Sequence, residues 1–339
     1  MGARPSGARA ERVRRSPQYA DGAFHNARAG TSTMPPAGNM LREFLFGKEQ
    51  RRPAGAVPLA TPDSSPPGPE DLRVTWYGHS SALVEVDGAR VLFDPVWGER
   101  VSPSTVAGPR RLHPNPVAIE DLPELDAIVI SHDHYDHLDL PAVRALLATQ
   151  TAPFVVPLGV GAHLERWRVP GERIIELDWS EQVDLAGLRL TATAAQHFSG
   201  RGFRRDGTLW ASWVITGPTR KVFYSGDSGY FSGYAEIGAT YGPFDVALVQ
   251  IGAYNAGWAD IHMTPEEGVA TALDVNASLL IPVHWATFNL AMHGWTEPVD
   301  RVWRECKARG VTLAVPRPGQ TVDVADPPAV DGWWQALAG

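Results

Sequence analysis

The stretch SHDHYDHLD carries four potential metal ligands within six residues: His132, His134, Asp136 and His137. Neutral imidazole and carboxylate oxygen are both ligands that Zn²⁺ accepts in proteins. Four such groups converge on one point only if the backbone turns sharply. They directly follow DAIVIS, an apolar run that is typical of a buried strand. The spacing therefore predicts a metal site at the end of that strand rather than a solvated polar loop.

Three further side chains stand in the same context, each at the end of an apolar, strand-like run. His197 follows LRLTATAAQ, Asp227 follows KVFYSG, and His284 follows SLLIPV. Strand ends at one edge of a sheet face a common crevice, which is where ligand sites tend to lie. Taken singly, each could be an ordinary core or surface polar residue. Together with the first four they supply enough ligands for two metal ions.

The elements that must position these ligands begin near Arg73. Short β-rich runs recur from there onward, and Asp87-Gly88 between two of them is typical of a hairpin turn. Helices are predicted over 140–149, 265–275 and 297–309. Many strands with a few helices predict two packed sheets with helices on the outside.

The first 70 residues have a different composition, rich in Arg, Gly, Ser and Pro. This composition predicts a mostly extended N-terminal segment over residues 1–70, followed by one main domain over 71–339 that includes a C-terminal tail. An apolar island interrupts the segment and predicts a short helix near 40–46. The island either packs on the main domain or forms a lip that contacts lipid or substrate. Its apolar residues are Met40, Leu41, Phe44, Leu45 and Phe46.

Composition excludes several classes of protein. The net charge of −8 argues against a general nucleic-acid binder, so no nucleic-acid partner is expected. The single cysteine, Cys306, excludes an intramolecular disulfide. No apolar run approaches the ~20 residues of a membrane-spanning helix. No apolar segment follows Arg14-Arg15, so an export signal is not expected and a cytoplasmic location is.

The order of the seven ligand-type residues resembles that of the metallo-β-lactamase superfamily. The resemblance implies an α+β fold with a four-layer αββα sandwich. It implies two Zn²⁺ ions as cofactors, for which Mn²⁺ or Fe²⁺ could substitute. Asp227 would contact both ions. The resemblance assigns His132, His134 and His197 to one metal, and Asp136, His137 and His284 to the other.

A closer resemblance connects the chain with N-acylphosphatidylethanolamine-hydrolysing phospholipases D. It rests on VTWYGHSS, AIVISHDHYDHLD, LWASWVI, SGDSGY, GPFDVALVQIGAY and HWATFNLA, and on FHNARAGTSTMPPAGNMLREFL near the start. It implies a phospholipase D-type phosphodiesterase acting on N-acylphosphatidylethanolamine-like phospholipids. The chain departs from the family where IGAYNAGW replaces IGAYEPR and where Ile261 precedes the His of H-x-x-PEE. These positions flank the pocket, so Tyr254 and Asn255 are expected to contact substrate.

Two residues are assigned catalytic roles. Asp136 belongs to the metal site, and His262 would donate a proton to the leaving alkoxide after a metal-activated water attacks phosphorus. His79 is expected to support the site without binding metal. Several arginines could contact a phosphate, although a solvated surface is their default interpretation: Arg110, Arg111, Arg201, Arg204 and Arg205.

Two other functions compete with the phosphodiesterase. The first is a lactonase of the ascorbate-6-phosphate lactonase type, which shares the metal motif. The second is a non-catalytic member that binds metal or lipid, although seven intact ligands argue against it. The expected partner is a phospholipid or another phosphodiester, with peripheral membrane contact as a further expectation. The oligomeric state stays open, and a dimer is compatible with the sequence.

Overall fold

Alternating side chains along single strands contribute to two separate cores. In the strand Ala89–Phe93, Val91 and Phe93 belong to the larger core, whereas Leu92 belongs to a second core on the opposite face. Successive strand residues point to opposite faces of a sheet, so a sheet covered on both sides reads as a continuous apolar run. This computed structural model describes residues 2–28, 47–104, 106–202 and 205–338.

The N-terminal segment begins with regular structure that the sequence analysis did not predict. Helix α1 (Gly7–Arg15) is followed by a short hairpin of β1 (Tyr19–Ala20) and β2 (Ala23–Phe24). Val13 and Phe24 are buried, and they pack in one small core with residues of the main domain. Residues 47–70 contain no helix or strand. The apolar island at 40–46 lies outside the described residues.

Thirteen strands form the two large sheets. The seven-stranded sheet has the order β15-β3-β4-β5-β6-β7-β8, and the six-stranded sheet has the order β14-β13-β12-β11-β10-β9. The strands are β3 (Leu72–Gly78), β4 (Ser81–Val86), β5 (Ala89–Phe93), β6 (Ala127–Val129), β7 (Phe154–Pro157), β8 (Ile174–Leu177), β9 (Gln182–Leu185), β10 (Leu188–Thr193), β11 (Ser212–Thr216), β12 (Lys221–Tyr224), β13 (Phe244–Gln250), β14 (Ala277–Val283) and β15 (Thr321–Asp323).

Both sheets mix parallel and antiparallel pairs. Strands β4 and β5 form the predicted hairpin, and Asp87 and Gly88 in its turn have φ of +49° and +83°. Positive φ at both central residues is the requirement of a type I′ turn. Strand β6 pairs in parallel with β5 and β7 and is buried throughout, as its apolar sequence predicts.

Helices cover the outer faces of the two sheets. Buried residues of α2 and α3 join the core on the outer face of the seven-stranded sheet, and those of α4, α5 and α6 join the core that includes the six-stranded sheet. The structure therefore confirms the predicted αββα sandwich. The described helices include none long and apolar enough to cross a membrane. The helices on the outer faces are α2 (Leu140–Thr149), α3 (Gly161–Arg166), α4 (Gly233–Tyr241), α5 (Pro265–Asp274) and α6 (Glu297–Arg309). Short 3₁₀ helices lie at Ile119–Asp121, Gly171–Arg173, Ala256–Trp258 and Gln335–Leu337.

Candidate metal centre

The histidine-rich stretch forms a tight loop, here called the metal loop (residues 131–139), between β6 and α2. The loop curls because the N–H of Leu138 donates to the carbonyl of His134 at 2.8 Å. Arg201 holds it from behind, since its Nη1 donates to the carbonyls of Asp133 (2.7 Å) and Leu138 (2.6 Å). Asp139 then caps α2 by accepting from a backbone N–H of its first turn. The loop thus points its ligand-type side chains to one side.

Three imidazoles form a first cluster. The Nε2 of His132 lies 2.8 Å from the Nδ1 of His134, and the Nε2 of His197 lies 3.2 Å from that same Nδ1. His132 and His197 are buried, and the three nitrogens all lie within 4.8 Å of one another. Imidazole nitrogens that converge in this way suit a single cation.

A second cluster forms around Asp136. Its Oδ2 lies 3.5 Å from the Nε2 of His137 and 3.3 Å from the Nε2 of His284. The Nε2 of His79 lies 2.9 Å from the same oxygen, and the four side chains form one group of potential ligands. His79 was expected to support the site without binding metal, and its contact with the carboxylate of Asp136 suits that role.

Asp227 lies between the two clusters. Its Oδ2 is 3.0 Å from the Nε2 of His284 and 3.1 Å from the Nε2 of His137. The same oxygen is 3.9 Å from His132 and 4.0 Å from His197, both measured to Nε2. A single carboxylate therefore reaches nitrogens of both clusters, which is the position that a ligand shared by two cations requires.

The electrostatics of the site favour bound positive charge. Burial disfavours a charged His284, but the carboxylates of Asp227 and Asp136 outweigh burial and raise its pKa to about 9. The pKa of His137 is likewise raised well above its usual value. Burial and neighbouring imidazoles instead lower the pKa of His132 well below 6.5. The carboxylates thus draw protons onto their own cluster, and a divalent cation would take the place of those protons.

Unpartnered atoms support the same conclusion. The Oδ1 of Asp227 is buried and has no hydrogen-bond partner among the described residues, and the Nε2 of His137 is buried and makes no well-directed hydrogen bond, although it lies 3.1 Å from the Oδ2 of Asp227. Buried polar groups are normally paired, so such atoms at the centre of a histidine and aspartate cluster indicate a missing partner. The donor set of imidazole and carboxylate suits Zn²⁺ and related divalent ions. These clusters are therefore able to bind metal ions.

Asp94 is a functional residue that the sequence analysis missed. It directly follows β5 and is fully buried, and its Oδ2 accepts a hydrogen bond from the Nδ1 of His137 at 2.7 Å. The hydroxyls of Ser131 and Tyr224 donate to the same oxygen. A carboxylate behind a ligand histidine fixes its orientation and tautomer. The rule that selected His197 and Asp227, a polar residue at a strand end, also selects Asp94.

The N-terminal segment reaches the site through Asn26. Its Nδ2 donates to the carbonyl of His197 at 2.8 Å, and its Oδ1 accepts from the N–H of His197 at 3.0 Å. The Nε1 of Trp210 also donates to that oxygen, at 2.9 Å. Asn26 therefore fixes the backbone of a ligand-type residue about 170 residues later in the chain. No local feature of the sequence distinguishes it from the rest of the segment.

Three residues of the site have strained backbone conformations. His79, Asp94 and His284 have φ of +50°, +38° and +64°, values that residues other than glycine rarely adopt. Such strain persists only where the surrounding structure imposes it, and it is often found at functional sites. Gly226, before Asp227, has φ of +56°, and a Cβ there would lie 2.8 Å from the Cβ of Ser131. Only glycine therefore brings Asp227 to its position without displacing the metal loop.

His262 lies beside both clusters. Its ring centroid is 5.1 Å from that of His197 and 5.3 Å from that of His284, and it groups with His197 and Asp227 as a potential metal ligand. Burial lowers the pKa of His262 to about 3, so the side chain is neutral at pH 7. A neutral imidazole can bind metal or accept a proton, and it donates a proton only after taking one up. The predicted acid role stays a prediction.

The two predicted substrate residues have partners away from the clusters. Tyr254 stacks on His293 with 4.5 Å between ring centroids, and its hydroxyl donates to Glu297 at 2.7 Å. The Oδ1 of Asn255 accepts from the N–H of Gly257 and caps the short helix that follows. Both residues thus stabilise local structure, and their contact with substrate stays a prediction.

Three of the candidate phosphate-binding arginines make contacts within the protein. Arg110 pairs with Glu99, and Arg111 donates to the carbonyl of Val96. Arg201 is buried rather than solvated, in contrast to its default interpretation. Arg204 lies outside the described residues.

Comparisons with known proteins agree with this geometry. The family model described as a beta-lactamase superfamily domain matches residues 89–285. A protein of Mycobacterium tuberculosis, itself uncharacterized, is 50% identical over 94% of this chain and 88% of its own length. The N-acyl-phosphatidylethanolamine-hydrolyzing phospholipase D 1 of Caenorhabditis elegans is 36% identical over 70% of each chain.

A solved structure shows the same architecture. Igni18, a metallo hydrolase from the archaeon Ignicoccus hospitalis, superposes with a TM-score of 0.57 at 25% identity, covering 74% of this chain and 97% of that one. The chain therefore belongs to the metallo-β-lactamase superfamily and is one of its metal-dependent hydrolases.

Proposed function

We propose that this protein is a zinc-dependent phosphodiesterase of the phospholipase D type, acting on N-acylphosphatidylethanolamine-like phospholipids. The observation that carries the proposal is the position of Asp227 between two clusters of buried ligand-type side chains, because paired cations suit displacement at phosphorus. The named activity of the Caenorhabditis elegans relative, at 36% identity, supports the choice of substrate.

An apolar cluster beside the site supports a lipid rather than a small sugar. Val96, Val101 and Phe288 are buried together, and half-buried Tyr135 and Leu290 pack against them. The ring of Phe288 makes an edge contact with His79, with 5.2 Å between centroids, so this cluster lies next to the potential ligands. A lipid substrate would place its apolar part against the half-buried side chains of this cluster, Tyr135 and Leu290, and its phosphate at the metals. Contact with a membrane surface is part of the proposal.

Each side chain has a role in the proposed reaction. His132, His134 and His197 would hold one ion, Asp136, His137 and His284 the other, and Asp227 both. Two bound divalent ions supply Lewis acidity that polarises the phosphoryl group and lowers the pKa of water to about 7. His79 and Asp94 orient Asp136 and His137 through the hydrogen bonds described above.

The proton balance involves His262. Attack of water forms a new bond between oxygen and phosphorus and breaks the bond to the alcohol oxygen, which leaves as an alkoxide. Neutral His262 can accept the proton that the attacking water loses and pass it to that alkoxide. Its Nδ1 is buried and has no hydrogen-bond partner among the described residues, so no described side chain competes for a proton on this nitrogen. The products are a phosphatidic acid and an N-acylethanolamine.

A product assay tests the proposal. The purified, zinc-loaded protein is incubated with vesicles of N-acylphosphatidylethanolamine, with a soluble aryl phosphodiester and with a phosphorylated sugar lactone, and products are identified by mass spectrometry. Phosphatidic acid and the N-acylethanolamine should form in equal amounts, and Asp227→Asn should abolish both. Lactone opening without phosphodiester cleavage would replace the proposal with the lactonase. No turnover on any substrate by metal-loaded protein would favour a non-catalytic role.

His262→Ala separates the proton-transfer role from a metal-binding role. Loss of a general acid–base group typically lowers kcat by ~10²–10⁴-fold. The variant should therefore lose activity on that scale and retain its metal content. Loss of metal from this variant, measured by atomic emission after dialysis, would instead make His262 a ligand.

A further inference from the structure

A cavity of about 580 Å³ lies between the N-terminal segment and the back of the metal loop. One wall is formed by residues of α1 and of the chain on either side of that helix. The opposite wall is formed largely by residues that follow His197 in the chain. Among the residues that the structure describes, the lining of the cavity includes a single carboxylate, Asp133. The cavity is here called the arginine cavity because five arginines line it: Arg4, Arg14, Arg166, Arg201 and Arg205.

Arg201 makes this cavity a built site rather than a patch of surface charge. It is only 7% exposed, and its guanidinium lies 4.0 Å from the ring centroid of Tyr135 and 4.9 Å from that of Trp167. Its Nη1 donates to the metal loop, but its Nε is buried and has no hydrogen-bond partner among the described residues. A buried cation with an unused donor indicates a missing acceptor.

Carboxylates of the described residues balance only part of the charge of the cavity, since Asp133, Asp136 and Asp139 act on Arg201 alone among the five arginines. Within the described ranges, Arg4, Arg14, Arg166 and Arg205 form no ion pair. Asp133 already accepts from the Nε2 of His163 at 3.0 Å and from the N–H of Gly200 at 2.7 Å.

Other arginines of the same segment are paired. Arg9 on α1 pairs with Glu165 and Glu176, and Arg12 pairs with Glu181. Helix α1 therefore docks through one set of arginines and leaves Arg14 facing the cavity.

We propose that the arginine cavity binds a phosphomonoester dianion at a site separate from the metal centre. Guanidinium groups match phosphate oxygens in a two-pronged geometry, and a phosphomonoester carries about −1.5 to −2 charges with three strong acceptor oxygens. A carboxylate would balance less of the charge that five arginines supply. The bound group would lie against Arg201, which holds the metal loop through its hydrogen bonds to the carbonyls of Asp133 and Leu138. The phosphomonoester is either free in solution or the headgroup of a lipid.

Binding of inorganic phosphate to the zinc-loaded full chain is the first test. Calorimetric titration at constant ionic strength is performed on the wild type and on two double variants. R14A/R166A removes two cavity arginines. R15A/R144A removes two exposed arginines that do not line the cavity, so it makes the same change in charge. Phosphate held at the metals contributes equally in all three proteins, because none of these arginines is a potential metal ligand.

The dissociation constant for phosphate at the cavity should rise about tenfold or more in R14A/R166A and by less than about twofold in R15A/R144A, where tenfold is about 1.4 kcal/mol. Equal weakening in both variants would show that general surface charge attracts the anion. Absence of any phosphate binding that depends on Arg14 and Arg166 would also overturn the proposal.

Vesicles distinguish the two sources of the phosphomonoester. Co-sedimentation is measured with phosphatidylcholine vesicles that contain either phosphatidic acid or an equal charge of phosphatidylserine. Preference for phosphatidic acid that is lost in R14A/R166A supports a lipid headgroup. Binding of glycerol 3-phosphate in solution, with no such preference among vesicles, supports a soluble ligand. Neither outcome depends on turnover. The proposal of a phosphomonoester site can therefore be tested and refuted even if the phosphodiesterase proposal fails.

Discussion

Asn26→Ala should weaken both the stability of the protein and its hold on metal. The substitution removes two hydrogen bonds to the backbone of His197, at 2.8 and 3.0 Å. Trp210 keeps a second acceptor, because its Nε1 also donates to the carbonyl of Ala195 at 3.0 Å. The perturbation therefore falls on His197.

The magnitude follows from the count of these bonds. A hydrogen bond within a protein contributes about 1 kcal/mol net, so two give a loss of about 2 kcal/mol in the free energy of unfolding. Asn26 is half-buried, and water can reach part of the vacated space, which argues against the larger cost of fully buried orphan groups. Loss of a residue that orients a metal ligand typically weakens metal affinity by ~10–100-fold. We expect about tenfold for zinc, since His197 itself is retained.

Two measurements and a control decide the matter. Urea unfolding gives the change in stability, and competition with a chromogenic chelator gives zinc affinity in the folded protein. Asn115→Ala is the control, because its side chain also donates one hydrogen bond to a backbone carbonyl, that of Trp97 at 2.8 Å. It should lose about 1 kcal/mol and keep wild-type zinc affinity. If Asn26→Ala loses stability but binds zinc as tightly as Asn115→Ala, then Asn26 only packs the N-terminal segment and the reasoning is wrong.

Four further substitutions test other parts of the site and the fold. Asp94→Asn removes the charge that faces His137 and should lower zinc affinity by ~10–100-fold, measured by the same chelator competition. Asp227→Asn should lower kcat more than tenfold with an unchanged circular dichroism spectrum, and a smaller loss would exclude a shared ligand. Gly226→Ala forces a Cβ to 2.8 Å from its neighbour at positive φ and should cost about 1–3 kcal/mol of stability in urea. Leu146→Ala leaves a cavity in the core on the outer face of the seven-stranded sheet, where Leu146 is fully buried, and should lower the free energy of unfolding by about 2–5 kcal/mol. Zinc affinity should stay unchanged, which separates folding from metal binding.

Much of the fold follows from local sequence. The helices over 140–149 and 297–309 have the predicted bounds, because their capping residues and apolar spacing are encoded within each segment. The turn at Asp87-Gly88 is equally local. The prediction failed where local signals are weak. Helix α4, in the Gly-rich GYAEIGATY, and helix α1, among arginines, were missed because packing and ion pairs with distant residues stabilise them.

The candidate site shows the same division. The types of the ligand residues and their positions at strand ends are properties of the sequence, since a strand end can be recognised from the apolar run before it. The resemblance to a known family added how they pair. Only the tertiary structure placed the Oδ2 of Asp227 within 4.0 Å of nitrogens from both clusters.

The tertiary structure alone also decided which residues stand behind the ligands. Asn26 contacts His197 across about 170 positions of the chain, and Arg201 reaches the metal loop across more than 60. Such pairs leave no periodicity or spacing in one sequence, because the distance along the chain between two contacting residues depends on the loops and strands that separate them. The sequence by itself therefore determined the chemistry of the site, and the packing of the two sheets and the N-terminal segment determined its geometry.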